Sequence, residues 1–304
     1  MNVARLKPDL ILRAHRDAVT ALRIFRQGQY AVSASADKRI KVWALDDGLE
    51  RLTLNGHQNR VTDVAVSPDA ARLYSCGEDK TLRCWNLGSG QEEAVLRGHD
   101  NRLLALALLP DGRRAVTAGR DGLLKLWEIQ RDEPPRTLEG HKGWVTCAAI
   151  TPDGRQLFSA ARDLRFKVWD LDRGAELASR TLHRDTIEAL AIDPAQGFFV
   201  TASADGAIKR WGLPGYEPQG ELLGHRHWVT ALALASGLLA SASLDGTLRL
   251  WSLAETREVA RFEAGSPLLS CALDASGQLL AGDRDGVIYR FPIPPMPDGD
   301  AVFD

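Results

Sequence analysis

Tryptophans stand at Trp43, Trp85, Trp127, Trp169, Trp211 and Trp251, and Phe291 continues the series, at steps of 42, 42, 42, 42, 40 and 40 residues. Six positions earlier an aspartate keeps the same beat: Asp37, Asp79, Asp121, Asp163, Asp205, Asp245 and Asp285. Histidines lead the units at His15, His57, His99, His141, His183 and His225, each 42 residues after the last. A hydroxyl precedes each of the first six aspartates by four: Ser33, Ser75, Thr117, Ser159, Thr201 and Ser241. Four residue types in one register constrain the chain to a repeat architecture. A unit this short cannot bury its apolar surface alone and must stack on copies of itself.

The fullest copy is 140–170, GHKGWVTCAAITPDGRQLFSAARDLRFKVWD. Its short runs alternate apolar and polar residues, the period-2 signature of half-buried strands, and they are separated by Pro152-Asp153-Gly154 and by a second turn at Asp163. Length alone, 304 residues, suggests about two domains, but a repeat array grows as one body around a shared core.

With Gly-His at 56–57, 98–99, 140–141 and 224–225 and Trp169-Asp170 closing its copy, the chain resembles the WD40-repeat family from residue 8 to 291. It departs at His15 and His183, preceded by Ala14 and Leu182, and at the other tryptophans, which lack a following aspartate. The resemblance implies an all-β, seven-bladed β-propeller of four-stranded antiparallel blades, one domain over 1–291, with a Pro-rich tail at 292–304. It also implies a structural relay of His, Ser/Thr, Asp and Trp inside six blades: His15/Ser33/Asp37/Trp43, His57/Ser75/Asp79/Trp85, His99/Thr117/Asp121/Trp127, His141/Ser159/Asp163/Trp169, His183/Thr201/Asp205/Trp211 and His225/Ser241/Asp245/Trp251. The seventh copy has Ala264, Ala281 and Phe291 instead and keeps only Asp285, which is expected to brace its turn. Losing three members together is physically coherent, because a half-satisfied buried network is worse than an apolar one.

The order of the pieces predicts how the ring closes. Segments such as 50–54 and 95–97 form the outer strand before each histidine, and the first of them, 9–13, precedes every other strand. Paired beside 287–291 it completes the seventh blade and removes an open sheet edge. The sixth copy is two residues short, Ala235-Ser236-Gly237 replacing a Pro-Asp-Gly turn. Four prolines mark the tail as a surface segment, with Val302-Phe303 a possible short docking element.

No chemistry emerges from the remaining residues. Six of seven histidines are committed to the relay, and a His-Ser-Asp set recurring six times is a fold brace rather than a nucleophile triad. His225-x-His227 lacks further nearby ligands, and Gly88-Ser89-Gly90 joins strands without a following Gly-Lys-Ser/Thr. The expectation is no catalytic residue, no metal and no cofactor. Cys76, Cys84, Cys147 and Cys271 show no Cys-x-x-Cys pair and read as reduced apolar residues, Cys76 and Cys84 on opposite faces of adjacent strands. The N-terminus lacks a signal-peptide apolar stretch and no run approaches a membrane span, so a cytoplasmic location is expected. A net charge of −2 and a pI near 6.4 carry no global nucleic-acid footprint.

Function must lie where the copies differ. In the resembled family, the third and fifth residues after the histidine and the one before the aspartate face one rim of the ring. Here those positions include Arg60, Arg102, Arg120, Arg162 and Arg284 against only Glu78 and Glu188. They also hold Trp144 and Trp228, the two tryptophans outside the repeat position, and Leu244. Aromatics among arginines have the composition of interface hot spots, and arginine suits bidentate recognition of carboxylate or phosphate. The resulting expectation is a non-enzymatic scaffold binding an acidic or phosphorylated segment of a protein. A nucleic-acid-binding propeller, or the sensing subunit of a multi-chain effector, stands as the alternative.

Overall fold

The computed structural model describes residues 3–131, 133–193 and 197–293. Seven antiparallel sheets of four strands form a ring, and no helix occurs among the described residues. Blade four shows the plan: Val145–Ile150 lines the axis, followed outward by Gln156–Ala161, Phe166–Asp170 and Ala175–Arg180. Gln156–Ala161 is buried on both faces after its first residue, because a neighbouring blade covers each side, whereas Ala175–Arg180 is mostly exposed. The apolar residues gather into seven clusters, one at each junction. Leu124, Leu126 and Leu138 of blade three meet Val145, Leu157 and Trp169 of blade four. Leu280 and Ile288 of blade seven meet Leu22 and Trp43 of blade one. No blade buries its own faces, which is why the repeats fold only as a ring.

The turns follow their sequences. In blade four Gly154 takes a φ of 70° and donates its N–H to Thr151 O at 2.8 Å, closing the Pro-Asp-Gly turn. In blade six Ala235 pairs directly with Leu238, and Ser236 and Gly237 both have positive φ, 50° and 75°. That is a two-residue type I′ hairpin, so the missing residues tighten the turn without disturbing the strands.

Ring closure uses the N-terminus twice. Leu10–Arg13 pairs antiparallel with Val287–Pro292, completing blade seven, and Arg290 pairs with Asp9 at 2.8 Å. Just before it, Ala4–Arg5 runs parallel to Arg257–Glu263 as a fifth strand of blade six, with Leu6 buried beneath it. This second attachment has no sequence signal: two residues cannot show a period, and Pro8 reads as a break. The final strand ends at Pro292, and Ile293 N–H donates to Gly277 O. The tail from 294 on, with Val302-Phe303, lies outside the described residues.

Two expectations are corrected. Tyr74 pairs with Cys84 and Cys76 with Leu82, so Cys76 and Cys84 share one face and one core cluster, diagonal to each other. All four cysteines are buried and free. In blade seven the turn is braced by Asp283, not Asp285. Buried Asp283 accepts the N–H groups of Asp285 and Val287 at 2.9 and 2.8 Å and the Tyr289 hydroxyl at 3.0 Å. Asp285, with no histidine opposite it at Ala264, is exposed.

Candidate interaction surface

Six blades carry a common hydrogen-bonded chain. Trp Nε1 donates to the Ser/Thr oxygen at 2.7–2.9 Å. That hydroxyl lies 2.7–2.8 Å from His Nε2. His Nδ1 lies 2.7–3.1 Å from the aspartate. Assigned from these partners, the hydroxyl donates to a neutral imidazole whose Nδ1–H donates to an ionised carboxylate. Each aspartate also accepts the N–H of the residue after the histidine and that of the residue two beyond itself, as Asp163 does from Lys142 and Arg165. The relay thereby pins two loops of one blade together.

This arrangement fixes a pH dependence. Burial pushes the imidazoles of His141, His183 and His225 below their ordinary 6.5, against the pull of Asp163, Asp205 and Asp245. Burial would raise the six carboxyls, but the histidines and backbone N–H groups outweigh it, and all lie below 3.8, Asp37 at about 2. Both kinds of group bind fewer protons folded than unfolded, so both lose stability as pH falls. The histidine contribution is complete above 6.5 and declines below it; the aspartate contribution is complete above 3.8 and declines toward pH 2. Melting temperature is expected to fall in two stages, from pH 6.5 downward and more steeply below pH 4. A flat profile between pH 7 and pH 3 would contradict the relay's protonation state.

The variable positions are set out by backbone geometry. In every blade the N–H before the relay aspartate, or before Asp285, donates at 2.8–3.0 Å to the carbonyl of the third residue after the histidine position. The pairs 60/78, 102/120, 144/162, 228/244 and 267/284 therefore stand side by side on the upper face, the face of the relay turns. The fifth position coincides with a β-bulge on every inner strand. A bulge re-aims its side chain, and here Thr20, Thr62, Thr146 and Thr230 each donate to a carbonyl of the next blade. Glu188 occupies the same bulge in blade five and lines the axial channel.

Across blades two to four the side chains interlock. Trp144 lies between two guanidinium groups, Arg120 Cζ at 3.9 Å and Arg162 Cζ at 4.2 Å from its ring centre. Arg102 pairs with Glu78 at 2.8 Å. Burial and the nearby Arg102, against Glu78 and together with Arg162 and Arg60, hold the Arg120 guanidinium below the usual arginine range. Arg120 Nε is buried without an acceptor among the described residues. Within this group Glu78 pairs with Arg102, and burial pushes the Glu188 carboxyl up against the pull of Arg162. Trp228 and Leu244 sit apart on blade six, and exposed Arg284 on blade seven.

One polar feature escaped the sequence reading. Asp63 in the channel accepts Arg23 at 2.8 Å and the Leu106 N–H at 3.0 Å, tying blades one, two and three. The available signal was a broken row: where Arg23 stands, the other copies have Ala65, Ala107, Ala149, Ala191, Ala233 and Ala272. Among the described residues, no group of three or more His, Cys, Asp or Glu side chains is arranged to hold a metal.

A closed ring of seven repeated blades, constant inside and variable on one face, makes the molecule a repeat-built β-propeller. The family model for the WD domain, G-beta repeat, matches residues 6–44, 48–86, 90–128, 132–170 and 174–212, more than half the chain. The model for the TEP-1 C-terminal beta-propeller matches 225–291. Comparison with curated proteins gives no match. The chain belongs to the WD40 family. The matched repeats are offset from the blades: the first includes Leu10–Arg13, a strand of blade seven. WD40 propellers are generally non-enzymatic scaffolds for protein partners.

Proposed function

We propose that this propeller is an interaction scaffold that binds an acidic or phosphorylated segment of a partner protein on Arg60, Arg102, Arg120, Trp144 and Arg162. The observation that carries the reading is the stack of Arg120 and Arg162 on Trp144. Stacking holds each guanidinium plane while leaving its edge free to donate, so the entropy of fixing two long side chains is spent before a ligand arrives. The surrounding excess of positive charge, relieved by Glu78 at Arg102 and by Glu188 near Arg162, favours an incoming anion.

Fluorescence anisotropy with a labelled Asp/phosphoserine peptide tests this. The triple variant Arg102→Glu/Arg120→Glu/Arg162→Glu is expected to weaken binding by about 100-fold or more, since each charge-assisted contact contributes about 1.5–3 kcal/mol. Wild-type affinity should fall with added salt. Unchanged affinity in the triple variant would remove the proposal, and tighter binding to a single-stranded oligonucleotide than to the peptide would replace it with nucleic-acid recognition.

A further inference from the structure

A row of ion pairs on the outer part of the blades breaks in blade five. In blades one, two, four and six the basic residue two before the repeat tryptophan pairs with a glutamate opposite that tryptophan on the outer strand. The pairs are Lys41–Glu50, Arg83–Glu92, Lys167–Glu176 and Arg249–Glu258, all at 2.5–2.6 Å. In blades two, four and six the glycine before the histidine makes room for them. A Cβ on Gly56, Gly140 or Gly224 would meet the basic side chain and the edge of the tryptophan ring. Blade three has no such carboxylate, and its Lys125 donates to Thr137 at 2.9 Å.

Blade five changes both supports of the pair. Pro218 stands opposite Trp211, and buried Leu182 takes the glycine's place and packs in the Trp211 cluster. Half-buried Lys209 donates to the Leu182 carbonyl at 3.3 Å. Glu221, directly opposite Lys209 on the outer strand, is exposed, and its carboxylate has no hydrogen bond or ion pair among the described residues. The exposed Arg184 guanidinium is equally free; only the Arg184 backbone N–H is engaged, by Asp205. These side chains line a cleft of about 350 Å³, together with Asp205 and with Leu223, which is 71% exposed. Asp205 is already spent on His183 and on two backbone N–H groups.

We infer that this cleft binds a small zwitterion, an α-amino acid with an apolar side chain. Its carboxylate meets Lys209 and Arg184, its ammonium meets Glu221, and its side chain lies against Leu223. Charge decides the class: two cations oppose a simple cation, a free carboxylate opposes a simple anion, and a molecule carrying both charges answers all three. Residues directly opposite on paired strands stand about 5 Å apart at Cβ, within reach of both ends of one amino acid. The site belongs to the boundary of blades five and six and is independent of the arginines on blades two to four.

Calorimetric titration of the intact chain with leucine, isocaproate, which lacks the ammonium, and isoamylamine, which lacks the carboxylate, decides it. Leucine should bind saturably and each single-charge analogue at least about 10-fold more weakly, the scale of one charge-assisted contact. Glu221→Gln should weaken leucine by a similar factor and leave isocaproate unchanged or tighter. Lys209→Met should weaken leucine and isocaproate alike. Glu221 is exposed and unbonded, so Glu221→Gln should melt like wild type, which separates lost binding from lost folding. No saturable binding of leucine up to about 10 mM, or equal binding of leucine and isocaproate, overturns the zwitterion site. Leucine affinity unchanged in both variants overturns it as well.

Discussion

Deleting residues 1–13 is expected to lower the melting temperature by more than any point substitution in the chain. The deletion removes Leu10–Arg13, the outer strand of blade seven, and leaves the edge of Val287–Pro292 unpaired. It breaks the Asp9–Arg290 ion pair and strips half-buried Leu12 from the blade seven–blade one junction. Several lost backbone bonds at ~0.5–1.5 kcal/mol each, with the apolar area, total on the order of 5 kcal/mol. That is comparable to the whole stability of many domains. The open edge also invites association between molecules. Deleting only residues 1–7 removes Ala4–Arg5 and Leu6 from blade six but leaves the ring closed, and should cost about 2 kcal/mol. Calorimetry on the two truncations separates clasp from closure; equal melting temperatures for them would mean that Leu10–Arg13 does not close the ring.

Ser159→Ala should carry the second-largest cost. The Ser159 hydroxyl is wholly buried and sits 2.8 Å from both Trp169 Nε1 and His141 Nε2. Its removal orphans a buried indole donor and an imidazole nitrogen, at ~1–3 kcal/mol each, so a loss of about 2–4 kcal/mol is expected in denaturant unfolding. Blade seven supplies the reverse experiment. Ala281 is fully buried beside Phe291 in an apolar cluster, so Ala281→Ser adds a hydroxyl without the indole and imidazole that satisfy it elsewhere. Destabilisation by both substitutions is the expected result. A stabilising Ala281→Ser would show that blade seven lacks a relay for some reason other than its apolar packing.

Blade number, strand count and the closing segment were legible because the ring repeats: Trp43 through Trp251 announce the inner architecture six times, and 9–13 is the one strand without a predecessor. The relay partners were legible for the same reason. What breaks the period was not. The clasp at Ala4–Arg5 is too short to carry a pattern, and the brace at Asp283 lies two residues off the beat, chosen by Tyr289 rather than by spacing. The upper-face arginines could be named from position alone, but their stacking could not. Arg120 reaches Trp144 across a blade junction, a contact set by side-chain conformation and not by sequence separation. The bulge at each fifth position likewise has several sequences, Thr, Leu and Glu among them, and one geometry.

In the proposed division of labour, repeated residues hold the ring and non-repeating ones bind. Blade four presents both within four residues, Ser159 on the relay and Arg162 on the upper face. Measuring melting temperature and acidic-peptide affinity on Ser159→Ala and Arg162→Glu, each against wild type, tests it most directly. Ser159→Ala should melt several degrees lower and, below its melting temperature, bind like wild type; Arg162→Glu should melt near wild type and bind at least 10-fold more weakly. The reverse assignment, with Arg162→Glu unfolding early or binding unchanged, would contradict the account.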